Sequence, residues 1–220
     1  MGIIDIFSEG LDAIADAILP RRARSVRTQA HAPEDIPVST HQREVQGKHI
    51  ATLMDYRDRI VEDLIRSLKY DGSGHAAQLC ADVLADFLRE EIASARSFSA
   101  REILLVPVPL HKSRERERGF NQIELVLKRL SQEFHDGTLS KVMPDALSRI
   151  RATQQQTHLS RDERIKNVEG AFQVAHNNNV RDVHVFLIDD VTTTGATLVN
   201  AAEPLEALGA TVSLLALARA

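Results

Sequence analysis

Asp189 and Asp190 stand side by side, and hydroxyls follow them at once. The stretch from Val185 to Leu198 reads VFLIDDVTTTGATL. Repulsion and desolvation both oppose two like charges at the end of a buried strand. An ordinary strand-to-helix connection has no use for that arrangement, so it points to a ligand. Thr192, Thr193, Thr194, Gly195, Ala196 and Thr197 bring hydroxyls and backbone N–H groups to the start of a helix, where the dipole favours an anion. Gly195 lets the backbone come close to that anion. The carboxylates just upstream accept hydrogen bonds from hydroxyls. A sugar phosphate satisfies both ends, with its phosphate in the Thr-rich turn and its vicinal hydroxyls on Asp189 and Asp190.

Two further stretches carry charge in useful places. LLVPVPLHKSRERERGFNQIELV delivers His111, Lys112, Arg114, Arg116 and Arg118 on a loop after an apolar strand. Glu115 and Glu117 alternate with the arginines, so part of this run only solvates a face. Gly119 and Asn121 mark a turn into another helix, again an anion-favouring start. SRIRATQQQTHLSRDERIKNVEGAF carries Arg149, Arg151, Arg161, Arg164 and Lys166 without a clear period. A long polar loop inside a compact domain is usually functional. From Arg151 to Gly170 it is expected to close as a lid that excludes water, with Arg151 and Arg164 as the candidate catalytic residues.

These stretches need a scaffold. RIVEDLIRSLKY puts Ile60, Val61, Leu64, Ile65 and Leu68 on one helical face, and HAAQLCADVLADFLREEI continues as a second helix. EILLVPVPL, VHVFLID and ATVSLLALA read as buried strands, with shorter candidates near DALSRI and AFQVA. NQIELVLKRLSQEF and GATLVNAAEPLEALG read as helices. The alternation predicts an α/β fold, a Rossmann-like, doubly wound and mostly parallel sheet, preceded by a helical N-terminal extension. Such sheets bind ligands beyond the carboxyl ends of their strands. In VHVFLID the strand ends at Asp189, which places both acids at that edge. Residues 21–49 lack a period and read as a loop or appendage, which divides the chain into an N-terminal segment, 1–50, and a main domain, 51–220.

The formal net charge is −4, so direct strong binding to nucleic acid is not expected, although local basic clusters can hold phosphate. The single cysteine, Cys80, lies in an apolar helical pattern and reads as a small buried residue. The opening MGIIDIFSEGLDAIADAILP is amphipathic but acidic, unlike a signal peptide, and no stretch is long and apolar enough to span a membrane. The expectation is a cytoplasmic protein without a membrane partner.

FLIDDVTTTGAT resembles the signature of type I phosphoribosyltransferases, which bind 5-phosphoribosyl 1-diphosphate (PRPP). The resemblance implies that Asp189 and Asp190 contact the ribose and that residues 192–197 hold the 5′-phosphate. It implies pyrophosphate binding by His111, Lys112 and Arg118. With PVPLH…RGFNQ and R.T..Q..L…ER..NV.GAF in the same order, and LIRSLKYDG upstream, the chain from Asp55 onward resembles the ComF family of phosphoribosyltransferase-like proteins. The implied cofactor is magnesium, held through the ligand and water rather than by a dedicated metal site. The implied reaction transfers phosphoribose to an acceptor that no residue identifies, with release of pyrophosphate. The alternative is a catalytically idle PRPP- or nucleotide-binding adaptor with protein partners in DNA uptake. Family members commonly carry Cys-x-x-Cys pairs of a zinc ribbon near the N-terminus. Here LPRRARSVRTQ holds that place without a thiol, so a thiolate zinc site is ruled out and no zinc is expected.

Overall fold

The structure, a computed structural model, describes residues 21–151, 170–175 and 180–220. At its centre is β7 (His184–Thr192), buried from Val185 to Ile188. Parallel neighbours β3 (Ile103–Pro107) and β8 (Thr211–Arg219) flank it. These strands are apolar on both faces because both faces are covered. On one face lie α2 (Arg59–Asp71), α3 (Gly74–Phe98) and α5 (Gln122–Leu127), where Leu64, Leu84, Leu88 and Ile123 share a core with Phe186 and Ile188. On the other lie α6 (Ala196–Ala207) and a separate antiparallel pair, β5 (Leu147–Arg149) with β6 (Phe172–Val174). There Leu198, Leu205 and Phe172 pack with Val185 and Leu187. The chain is thus a doubly wound α/β fold with a mostly parallel sheet.

The sheet is wider than the sequence suggests. Residues 21–49, read as a loop or appendage, form α1 (Arg21–Gln29), β1 (Val38–Val45) and the first part of β2 (Lys48–Asp55). β1 and β2 make an antiparallel hairpin, and β2 pairs in parallel with β8, Ile50 opposite Leu214. With β4 (Lys141–Val142) the six-stranded order is β1-β2-β8-β7-β3-β4. β2 therefore runs through residue 50, where the sequence suggested a boundary. No periodicity reveals β1 because seven of its eight residues are exposed. Bidentate Arg24–Asp71 and Arg27–Asp63 pairs fasten α1 to α2.

Two other expectations are corrected. The basic run forms a short helix, α4 (Lys112–Arg118), rather than a loop; its alternating charges hide any apolar face. α5 stops at Leu127 instead of reaching Phe134. Ser131 adopts an extended conformation and its hydroxyl donates to Glu133 at 3.0 Å, a local bond that competes with the helix. A 3-10 turn then buries Phe134. Among the described residues no helix is long and apolar enough to cross a membrane.

Candidate functional site

Because β2, β8, β7 and β3 are parallel, their carboxyl ends share one edge. β7 extends to Thr192, three residues beyond the expected end at Asp189. The two acids therefore sit on a strand, and a strand sends successive side chains to opposite faces. Asp190 belongs to the α2–α5 face. Its Oδ1 lies 3.0 Å from Lys69 Nζ in the last turn of α2, and its Oδ2 accepts a hydrogen bond from Gln122 Nε2 at the start of α5. Gln122 Oε1 in turn accepts from Arg118 Nη1 at the end of α4. Asp190 is 5% exposed, and these partners engage both of its oxygens.

Asp189 is presented on the other side, where Arg149 from β5 supplies a cation. Burial pushes its carboxyl up to about 7; the adjacent Asp190 adds to that push, while Lys69 and Arg149 draw it down. Burial lowers the pKa of the Arg149 guanidinium, Arg114 lowers it further, and Asp189 opposes the change. The Arg149 guanidinium also lies 5.2 Å from the Phe172 ring centroid.

The turn that follows spans Thr193–Gly195, and α6 begins at Ala196. Thr192 is the last strand residue, opposite Arg219, so it belongs to the ladder rather than to the turn. Gly195 is required twice over. Its φ is +82°, and an added Cβ would meet Ile50 Cδ1 at 2.5 Å and Val45 Cγ2 at 3.0 Å. No side chain caps the start of α6, although Thr194 Oγ1 accepts weakly from Ala196 N at 3.3 Å. Arg43 of β1 reaches the same turn and donates to the Thr193 carbonyl at 3.3 Å. The first turn of α6 thus offers backbone donors to an anion.

Beside this turn, Asn121 fixes the path from β3 to α5. Its side chain accepts from Ile123 N and donates to the Val108 carbonyl at 3.0 Å. His111 caps α4, accepting from Ser113 N at 3.2 Å. Lys112 and Arg114 are exposed, whereas Arg118 packs 5.8 Å from the Tyr70 ring centroid. Arg24 covers the same ring from 5.4 Å. Gly72, at φ +58°, ends α2, and a Cβ there would meet Phe120 at 3.0 Å. The Lys69–Gly72 turn therefore touches both Asp190 and the basic helix.

No family model matches the chain. It is similar to the DNA utilization protein YhgH of Escherichia coli, 31% identical over 175 residues, covering 78% of this chain and 72% of that protein. It is also similar to competence protein ComFC of Bacillus subtilis, 33% identical over 159 residues, covering 72% of this chain and 58% of that protein. The chain belongs to the ComF family. A further ComF relative, competence protein F of Haemophilus influenzae, is 35% identical over 106 residues, 48% of this chain and 44% of that protein. Among solved structures, a hypoxanthine phosphoribosyltransferase from Staphylococcus aureus is similar at a TM-score of 0.35 and 15% identity, covering 65% of this chain and 62% of that one.

In this ComF protein the fold brings Asp189, Asp190, the 193–197 turn and Arg118 to one edge. His111 and Lys112 lie at the head of α4, and Arg151 is exposed where the described residues break off. Arg164 and most of the expected lid lie outside the described residues. Sequence reading missed Lys69 and Gln122 as partners of Asp190, and Arg43, Val45 and Ile50 as the backing of the turn. LIRSLKYDG signals Lys69 as part of a motif, but nothing local to it names a partner 121 positions away. Cys80 is fully buried, and burial pushes its thiol up, with Asp190 and Asp82 adding to the effect. Among the described residues no three His, Cys, Asp or Glu side chains converge to hold a metal ion.

Proposed function

We propose that this edge binds PRPP with magnesium and transfers its phosphoribose to an acceptor, releasing pyrophosphate. The observation that carries the reading is the juxtaposition of Asp189, faced by Arg149, with the Gly195 turn and the start of α6. One sugar phosphate spans those features. The 5′-phosphate takes the backbone donors of residues 194–197, and the ribose hydroxyls donate to Asp189. Asp190 lies behind it, tied to α2 and α5. Arg118, His111 and Lys112 face the pyrophosphate from α4, with Arg114 and Arg149 between the two ends.

Cleavage at the anomeric carbon passes through an oxocarbenium-like state, as in glycoside hydrolysis. Magnesium, when bound with the ligand, would supply neutralisation of the leaving charge. The chain's own cations stabilise the departing pyrophosphate, and Asp189 holds the sugar in place and faces its developing positive charge.

A second reading has specific support in the names of the relatives, which refer to competence and DNA utilization. The same site would then bind PRPP or a nucleotide without turnover, in an adaptor that contacts protein partners. Pyrophosphate release from PRPP and magnesium, measured across a panel of bases and amines, separates the two. Acceptor-dependent release that Asp189→Asn abolishes supports transfer. Saturable PRPP binding with no release under any acceptor supports the adaptor.

A further inference from the structure

The last turn of α2 carries a lysine whose ammonium is spent on a carboxylate in the middle of the site. Lys69 Nζ lies 3.0 Å from Asp190 Oδ1, with the two side chains 21% and 7% exposed. Gln122 closes the other oxygen and links it to Arg118. The residues that follow Lys69 are anchored. Its neighbours Tyr70 and Asp71 are clasped by Arg118 and Arg24, and Gly72 packs under Phe120.

We propose that Lys69 is a positioning residue for the acid pair: it pins Asp190 to the α2 face and thereby favours the ionised form of Asp189, the acceptor turned to the ligand. Two adjacent carboxylates in a partly dry site otherwise share a proton. Among the described residues, these charged and titratable groups act on the pair. Arg149 from β5 acts on Asp189 from its own face, and Asp190 and Lys69 act on it from the opposite face. Lys69, Gln122 from α5 and Cys80 from α3 face Asp190. Lys69 is the cation in contact with Asp190, and it also draws Asp189 toward its ionised form. Arg149 acts from the opposite face and cannot replace that contact.

The inference rests on the sugar-phosphate reading for its purpose, but its test needs no ligand. Aspartate carboxyl carbons labelled with ¹³C are titrated in the folded protein and assigned with Asp189→Asn and Asp190→Asn. The wild type should show one carboxyl with a midpoint near 7. Lys69→Met should raise that midpoint by about one pH unit or more, and Lys69→Arg should hold it near the wild-type value. Lys69→Met/Asp190→Asn removes both partners, keeps a foldable core, and should bring Asp189 below its midpoint in Lys69→Met. At pH 8, a one-unit rise halves the ionised fraction of Asp189, so Lys69→Met should weaken ribose 5-phosphate about twofold and leave pyrophosphate unchanged. An unmoved midpoint in Lys69→Met, or Lys69→Arg behaving like Lys69→Met, would overturn the proposal. A wild type that titrates as expected but ignores ribose 5-phosphate would sink the sugar-phosphate reading and leave the Lys69 coupling standing.

Discussion

The β7–α6 connection and the β1–β2 hairpin build one turn from two directions. The connection supplies the chemistry in consecutive residues: Asp189, Asp190, then Thr193 to Ala196. The hairpin supplies the shape from about 150 positions away. Ile50 and Val45 occupy the space in front of Gly195, and Arg43 holds the Thr193 carbonyl. A peptide unit is planar, so a carbonyl turned toward Arg43 sends the next N–H the other way. Reactive groups are thus written locally, whereas the surface that presses them into position comes from wherever the sheet order brings it.

Gly195→Ala breaks that arrangement most severely. Left-handed φ costs about 1–2 kcal/mol for an L-residue and overpacking adds about 1–3 kcal/mol. The sum, about 2–5 kcal/mol, should lower the melting temperature by roughly 5–15 °C in a chain of this size. Adding Ile50→Val to Gly195→Ala removes the methyl met at 2.5 Å and should return about 1 kcal/mol, leaving the φ penalty. Thermal unfolding of both variants checks this, and no recovery in the double variant would mean that the hairpin does not press on the turn.

Asp189→Asn has the next largest effect, and its sign depends on pH. The carboxyl moves from an ordinary 3.8 to about 7 in the fold. Folding therefore favours the protonated form, and this stability is complete below about pH 4 and lost as pH rises through 7. The asparagine variant should match the wild type near pH 4 and exceed it at pH 8 when no ligand is present. Urea unfolding at the two pH values measures the difference. A variant less stable at pH 8 would contradict the burial of this charge.

Arg43→Ala should be the mildest change. Its single hydrogen bond is long and exposed, worth about 0.5–1 kcal/mol. Ribose 5-phosphate affinity should fall by about two- to fivefold, with pyrophosphate unaffected. Equal weakening of both ligands in a calorimetric titration would move Arg43 out of the phosphate turn.

The same division explains what could be read from the sequence. β7, β8, α2 and α3 were legible because burial imposes their patterns within one element. The Asp189–Thr197 motif was legible because its acids, hydroxyls and glycine are contiguous in the chain. β1 was invisible because its exposed side chains obey no burial pattern, and α4 because KSRERER has no apolar face. The tandem acids read as a joint clamp until the strand was seen to run on to Thr192, since three more residues of ladder put the two side chains on opposite faces. Lys69 and Gln122 acquire their roles only through contacts that no local spacing encodes.

Calorimetric titration of PRPP with magnesium, ribose 5-phosphate and pyrophosphate tests the central claim most directly, using the wild type, Asp189→Asn and Thr194→Val. The wild type should bind PRPP. Asp189→Asn should weaken PRPP and ribose 5-phosphate by about tenfold, the equivalent of losing one charge-assisted hydrogen bond of roughly 1.5 kcal/mol. Thr194→Val should weaken the same two ligands less, and pyrophosphate should be indifferent to both changes. A folded wild type that ignores PRPP, or pyrophosphate affinity that falls as far as that of ribose 5-phosphate, would contradict the placement of the sugar phosphate at the end of β7.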